Sequence, residues 1–237
     1  MDTHLIFYVD FLGVKAFLGV EAVDIARLNS FTILLHEIAA LRGSFEIIEQ
    51  PIESGRQFVL RPEISTFSDH IVLSYEIDAL KQLGGNEFFS GLSSAEKLIS
   101  SLAREALPLG LLIRGGVTLG PLHHKNGVVL GPAMVEAYDL ESSMAIYPRV
   151  VVSQVLYSQL RDDFDLMLRR DFDGIVHLNY FRGFLQFSSH ENQLVRSWNP
   201  EIREQVEDNI KRLTQNKRWK ELAKWVCFRN AIEHEIA

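Results

Sequence analysis

Two aspartates stand where a carboxylate is costly to place. Asp10 closes the apolar run HLIFYVD, and Asp69 lies between the two β-rich halves ISTFSD and HIVLSYE. A lone carboxylate beside a core costs several kcal/mol unless it is paired or holds a metal. If the two strands are neighbours, the carboxylates converge, and charges about 4 Å apart need a cation between them. Hard oxygen ligands suit Mg²⁺ or Mn²⁺, and two such ions suit phosphoryl transfer. On spacing alone, the competing reading is that each aspartate is a turn or capping residue at a strand end. His70, next to Asp69, is placed either to orient a metal ligand or to lie exposed on its strand.

Other chemically suggestive residues have plainer readings. Gly84-Gly85-Asn86-Glu87-Phe88 looks like a GGDEF signature but has Asn where that signature has an acid, and reads as a helix-entry loop. His123 and His124 point to opposite faces of a strand and read as hairpin polar residues. His36-Glu37 lacks a second His four residues on and reads as helix surface. Lys211, Arg212, Lys217, Arg218, Lys220 and Lys224 make the end of the chain locally basic, with Trp198, Trp219 and Trp225 near them. On a chain of net charge −7 this reads as a solvated helix face over buried Trp, not a nucleic-acid surface. Nothing beside Cys227 suggests a catalytic thiol.

The elements that must position these residues follow from hydrophobic period and turn chemistry. HLIFYVDFLG reads as a buried strand. Helical spacing runs from about Val23 to Leu41, with Gly43 as its stop, and again over 94–107 with Ser93 or Ser94 as N-cap. Residues 44–62 read as loop with an edge strand. Phe67 to His70 reads as a hairpin tip, and Asn126-Gly127 as the turn of a second hairpin. Gly131-Pro132 suits a helix start. Val150–Val152 reads as a short strand, Gln154–Leu160 as helical, and IVHLNYF as a last strand. From about Glu201 to Ile232 the apolar positions keep near-helical intervals.

With 237 residues, 47% of them hydrophobic and 23% charged, the chain is long enough for one good-sized core and is not a low-complexity sequence. No apolar run approaches the roughly 18 residues of a membrane span. MDTHLIFYVD lacks the basic start of a secretory signal, and a single cysteine fits a reducing compartment, so the expected location is cytoplasmic. The net negative charge means that a polyanionic ligand needs metal ions or a few placed cations.

Taken in order, FYVDFLG, TFSD, IRGGVTLG and GVVLGPAMVEAY resemble class III nucleotidyl cyclases, most of all the pyrimidine cyclases of bacterial anti-phage signalling, the Pycsar cyclases. The resemblance spans about residues 5 to 152 and extends more loosely through YPRVVVS and DFDGIVHLNYF. It implies an α+β fold: a ferredoxin-like βαββαβ core over residues 1–185, with a helical extension over 186–237. It also implies a head-to-tail homodimer with active sites at the interface and a nucleoside triphosphate substrate. Asp10 and Asp69 would hold two Mg²⁺ or Mn²⁺ ions with the Phe11 carbonyl, and the N–H groups of Leu12, Gly13 and Val14 would lie near the triphosphate. The implied reaction is attack of the ribose 3′-oxygen on the α-phosphorus with release of pyrophosphate. The product would reach an effector protein only as a diffusing cyclic nucleotide.

Departures from the family pattern bear on the substrate. Ser65 stands where adenylate cyclases carry a base-reading Lys and guanylate cyclases a Glu, and Val128 stands at the second purine-reading position. Neither can make the purine pattern, so UTP or CTP is the expected substrate and cyclic UMP or CMP the product. The transition-state Asn and Arg of the mammalian-type enzymes align with Val135 and Asp139. Arg114 and Arg149 are the candidate substitutes, each of which could instead pair with Glu136, Asp139 or Glu141. The alternatives are a catalytically silent dimer that binds nucleotide or a partner, and an atypical adenylate cyclase.

Overall fold

β1 (Asp2–Leu12) is buried on both sides from His4 onward, and its alternate residues serve two different layers. Leu5, Phe7, Val9 and Phe11 join the main core with α2 (Ile25–Ala40) and α4 (Glu87–Ala106). Ile6 and Tyr8 join a smaller core with Ala133 and Ala137 of α5 (Pro132–Met144). Asp10 shares the parity of Ile6 and Tyr8 and therefore faces the α5 side. The computed structural model describes residues 1–19, 25–40, 47–49, 58–82, 87–160, 167–190 and 193–236.

β1 lies between two antiparallel neighbours, β5 (His70–Glu76) and β6 (Leu112–Lys125). β4 (Glu63–Phe67) pairs the outer edge of β5, giving the order β4-β5-β1-β6. With α2 before β4 and α4 before β6, this is a ferredoxin-like βαββαβ core. Beyond it the sheet turns mixed. β8 (Val150–Val152) runs parallel to β6, and β10 (Val176–Leu178) and β9 (Leu168–Arg170) continue antiparallel. β7 (Val128–Leu130) folds back on the end of β6 through Asn126 and Gly127, both at positive φ. A short helix, α1 (Val14–Leu18), follows β1 directly; Gly13 before it has φ 106°, a conformation that suits only glycine. Two more short helices, α3 (Ile77–Lys81) and α6 (Gln154–Tyr157), follow β5 and β8.

Several boundaries differ from the sequence expectation, each for a packing reason. α4 starts at Glu87 rather than near Ser94, because Phe88 extends its buried stripe of Leu92, Ala95, Ile99 and Leu102 by a further turn. In the 44–62 region, β2 (Ile47–Glu49) pairs β3 (Phe58–Leu60) as a separate two-stranded ladder. Gly43 and Gly84 to Asn86 lie outside the described residues. IVHLNYF is a strand only over Val176–Leu178. It gives way to a 3₁₀ turn, Tyr180–Phe184, that buries Tyr180, Phe181 and Phe184. A hairpin of β11 (Leu185–His190) and β12 (Gln193–Trp198) precedes the terminal helices. The near-helical run after Glu201 is two helices, α7 (Pro200–Gln215) and α8 (Trp219–His234), broken where Lys217 takes φ 55°. Val206, Leu213, Trp225, Phe228 and Ile232 of these helices belong to the same core as β1. Among the described residues, no helix is long and apolar enough to cross a membrane.

Candidate active site

The register of the sheet brings the acids together. Asp10 stands opposite His70 of β5 on one side and opposite Arg114 of β6 on the other. The β4–β5 hairpin turns through Ser68, at φ 55°, and Asp69. The Phe11 N–H donates to the Asp69 carbonyl (3.4 Å), which ties the hairpin tip to the end of β1. Ser68 Oγ donates to Asp69 Oδ1 (2.8 Å). His70 bridges the carboxylates, with Nδ1 3.3 Å from Asp69 Oδ1 and Nε2 3.6 Å from Asp10 Oδ1. One ligand atom from each of Asp10, Asp69 and His70 lies within 4.8 Å of the other two, so the three form a set that can hold a divalent ion.

Arg114 closes the other side. Its Nε donates to Asp10 Oδ2 (2.9 Å), and its Nη2 lies 2.9 Å from the same oxygen and 2.6 Å from Glu141 Oε1. Glu141 reaches it because α5 turns the stripe Ala133, Ala137 and Glu141 toward the sheet. The helix can come this close because position 116 is glycine: a Cβ there would stand 2.3 Å from the Ala137 carbonyl oxygen. Burial pushes the Glu141 carboxyl above its ordinary value; Arg114 opposes the rise and the charge of Asp10 adds to it. Tyr8 lies beneath the acids. Its phenol is held well above its ordinary value, first by burial and then by Glu141 and Asp10.

Beside the acids stands an aromatic group. Phe67 stacks on His70 with ring centroids 5.3 Å apart, and Tyr138 meets Tyr8 edge-on at 5.7 Å. Phe67 and Tyr138 are each 47% exposed. The acids open on a cleft of about 1080 Å³ lined by Asp10, Asp69 and Arg114, by the chain from Phe11 to Phe17, and by residues of α7 and α8.

The structure thus gathers Asp10, Asp69, Arg114, Phe11, Leu12, Gly13 and Val14 around one cleft. It does not bring the other candidates to it. Arg149 is sealed elsewhere. Its Nη1 lies 2.8 Å from Asp171 Oδ2 and its Nη2 2.8 Å from Asp173 Oδ2, while Nη2 also donates to the Met144 carbonyl (2.9 Å). Ser65 is buried on β4, its hydroxyl 2.9 Å from Nε2 of His124, whose Nδ1 lies 2.8 Å from Ser74 Oγ. Val128 is exposed on β7, and Val135 and Asp139 are exposed on the outward side of α5.

Some plainer readings hold in the structure. His123 is exposed while His124 is buried between the two serines, and His36 and Glu37 are exposed on α2. Burial raises the Cys227 thiol to about 11, away from thiolate chemistry. Others change. Trp198 and Trp225 are buried but Trp219 is 61% exposed, and Arg212, Arg218 and Lys224 line the cleft rather than a plain solvated face. Among Glu136, Asp139 and Glu141, the partner of Arg114 is Glu141, whereas Glu136 accepts from Thr118 Oγ1 (2.9 Å). The four-residue spacing of Ala133, Ala137 and Glu141 was the available signal for that pairing, since it puts the acid on the sheet-facing stripe.

No protein-family model and no curated protein matches the chain. Among solved structures, the adenylyl cyclase CyaB from P. aeruginosa is 15% identical, with a TM-score of 0.48 over 74% of this chain and 91% of that one. A bacterial light-regulated adenylyl cyclase is 13% identical, with a TM-score of 0.44 over 88% and 98%. With both scores below 0.5, the chemistry of the site rests on this chain's own residues.

Proposed function

We propose that the chain is a divalent-metal-dependent nucleotidyl cyclase, converting a pyrimidine nucleoside triphosphate, UTP or CTP, to its 3′,5′-cyclic monophosphate and pyrophosphate. The observation that supports this reading best is the convergence of Asp10, Asp69 and His70 at the head of a cleft large enough for a nucleotide. Small-molecule and cofactor pockets fall in the range of roughly 300–1,000 Å³. The donor set fits a hard cation: two carboxylates, with the Phe11 backbone close by. Bound Mg²⁺ or Mn²⁺ would lower the pKa of the ribose 3′-hydroxyl and neutralise charge on the triphosphate.

The protein's own share is positioning and charge. Arg114 holds Asp10 in place through two nitrogens and keeps a cation beside the cleft, where phosphate charge builds up as the bond to pyrophosphate breaks. Leu12 to Val14 run along the cleft wall, within reach of a triphosphate. Phe67 and Tyr138 offer half-exposed ring faces beside the acids, and a stacked base is worth about 1–3 kcal/mol. The lean toward a pyrimidine rests on the resemblance of the motifs, in which Ser65 and Val128 hold the purine-reading positions without the groups that read a purine edge; neither residue lines the cleft. Exposed Val128, Leu130, Val135 and Tyr138 on β7 and α5 favour a homodimer. A cyclic pyrimidine product acting on a separate effector in anti-phage defence follows from the resemblance of the motifs. Burial of Arg149 leaves Arg114 as the better placed of the two arginines to act on phosphate.

The test is turnover of purified protein with Mn²⁺ and, separately, ATP, GTP, CTP and UTP, with cyclic product detected by mass. The expected result is one cyclic pyrimidine. No product from any of the four, from a folded dimer, favours the silent nucleotide-binding dimer. Clear preference for ATP makes the chain an atypical adenylate cyclase.

A further inference from the structure

The terminal helices do more than cover the core. Asn209, Arg212, Arg218, Glu221, Lys224 and Trp225 of α7, α8 and the turn between them form one wall of the cleft that holds Asp10, Asp69 and Arg114. Within that wall the cations differ in how far they are already engaged. Arg218 is ion-paired with Glu221 one turn on, and Arg212 Nη2 donates to Asn209 Oδ1 (2.7 Å). Lys224 is half-buried, and among the described residues no carboxylate comes within 4 Å of its ammonium. Its pKa is pushed below the ordinary lysine value, first by burial and then by the positive charge of Arg114; Glu221 and Asp10 oppose the shift. Lys224 and Arg114 therefore line one cleft, near enough for the charge of one to act on the other. Like charges in a partly desolvated cleft repel, and the repulsion is relieved when an anion with several charges sits between them.

We propose that α7 and α8 complete a polyphosphate-binding site in this cleft, with Lys224 and Arg114 flanking the anion and Arg212 and Arg218 at its mouth. Arg114 is anchored to the sheet and Lys224 to the terminal helices, so an anion between them joins the βαββαβ core to the C-terminal segment. The identity of that anion as the triphosphate of a nucleotide rests on the cyclase reading; the anion site itself does not. Within that reading Lys224 is a phosphate-positioning residue, contributed by an element that lies outside the four motifs.

The probe is inorganic tripolyphosphate, titrated calorimetrically at low ionic strength into the full chain, with and without Mg²⁺. Lys224→Ala is compared with the unsubstituted protein, with Lys224→Arg, and with Lys211→Ala on an exposed position of α7 away from the cleft. A charged hydrogen bond of the strength proteins show corresponds to roughly a ten- to hundredfold loss of affinity in Lys224→Ala. Lys224→Arg should recover most of it, and Lys211→Ala should match the unsubstituted protein. Where turnover is measurable, Lys224→Ala should raise KM for the triphosphate more than it lowers kcat. Tripolyphosphate affinity that is unchanged in Lys224→Ala overturns the proposal, and so does absence of binding by the unsubstituted protein. Lys224-dependent binding without turnover of any triphosphate would leave the anion site standing and the cyclase reading fallen.

Discussion

Arg114 and Arg149 make an instructive pair. Both lie on or beside β-strands of one sheet, and both neutralise two carboxylates. Arg114 is 24% exposed and Arg149 only 3%. Arg149 is a closed unit: Asp171, Asp173 and the Met144 carbonyl take up its two Nη nitrogens, its Nε is buried without a partner, and His177 stands 3.5 Å from Asp171 behind them. Burial lowers the Arg149 pKa, but the hydrogen bonds it donates to Asp173 and Asp171 outweigh this and leave the guanidinium above its ordinary value. Arg114 is an open unit. Its partner Asp10 is shared with His70, its partner Glu141 is pushed toward protonation, and the group opens on a cleft. A buried ion network closed off from solvent holds structure, whereas one that holds unequal partners beside solvent has charge left for a ligand.

The largest effect should come from the cleft. Asp69→Ala should reduce turnover about a thousandfold or more, the loss expected when several kcal/mol of metal-borne charge stabilisation goes, with little change in melting temperature. Asp69 is at a hairpin tip, so unchanged turnover in a folded variant would remove it from the metal site. At the closed network the damage should be structural instead. Arg149→Met leaves Asp171 and Asp173 without their cation and should cost about 3–5 kcal/mol of stability by denaturant unfolding. The surviving folded fraction should keep an unaltered KM; a selective rise in KM would make Arg149 part of the site after all.

The acid limb sharpens the same contrast. Asp171 is held down at about 2, against an ordinary 3.8, first by His177 and then by Arg149, with burial opposing. A carboxyl lowered in the folded state stabilises above its unfolded pKa and loses that contribution as pH falls from about 4 toward 2. On the order of 2 kcal/mol should disappear over that window. In Asp171→Asn this acid dependence should be flattened; an unchanged acid limb would assign the slope to other groups. The smallest effect is expected at Glu141. Glu141→Gln loosens Arg114 and should lower turnover roughly tenfold, as loss of a supporting partner does. Because burial raises this carboxyl, ionising it makes the fold less stable as pH rises through and beyond 4.5. The Gln variant should therefore show a flatter stability profile there, and an identical profile would mean that Glu141 bears little cost.

Much of the core was legible from sequence because its signals are local. Asn126-Gly127, the Gly131-Pro132 helix start and the apolar run of β1 each state their structure within a few residues. The convergence of Asp10 and Asp69 was also foreseeable, since a strand-end acid and a hairpin-tip acid meet once their strands pair. What escaped was set by contacts distant in sequence. Arg114 and Arg149 look alike as strand-flanking arginines, and only the docking of α5 and of the Asp171–Asp173 turn separates them. The β11–β12 hairpin and the break between α7 and α8 lack strong turn residues, and their placement follows from burial of Trp198, Leu213 and Trp225. Lys224 read as one more solvated cation because nothing in its neighbourhood in sequence shows that it lines the same cleft as Arg114.

The most direct test is Mn²⁺ binding, followed by electron paramagnetic resonance with a UTP analogue that cannot cyclise. The unsubstituted protein should take up about two Mn²⁺ per active site, the number suited to in-line phosphoryl transfer. Asp69→Ala should lose at least one of them, and Arg149→Met should bind as the unsubstituted protein does. Full Mn²⁺ binding by Asp69→Ala, or a loss confined to Arg149→Met, would contradict the assignment of the cleft as the metal and nucleotide site.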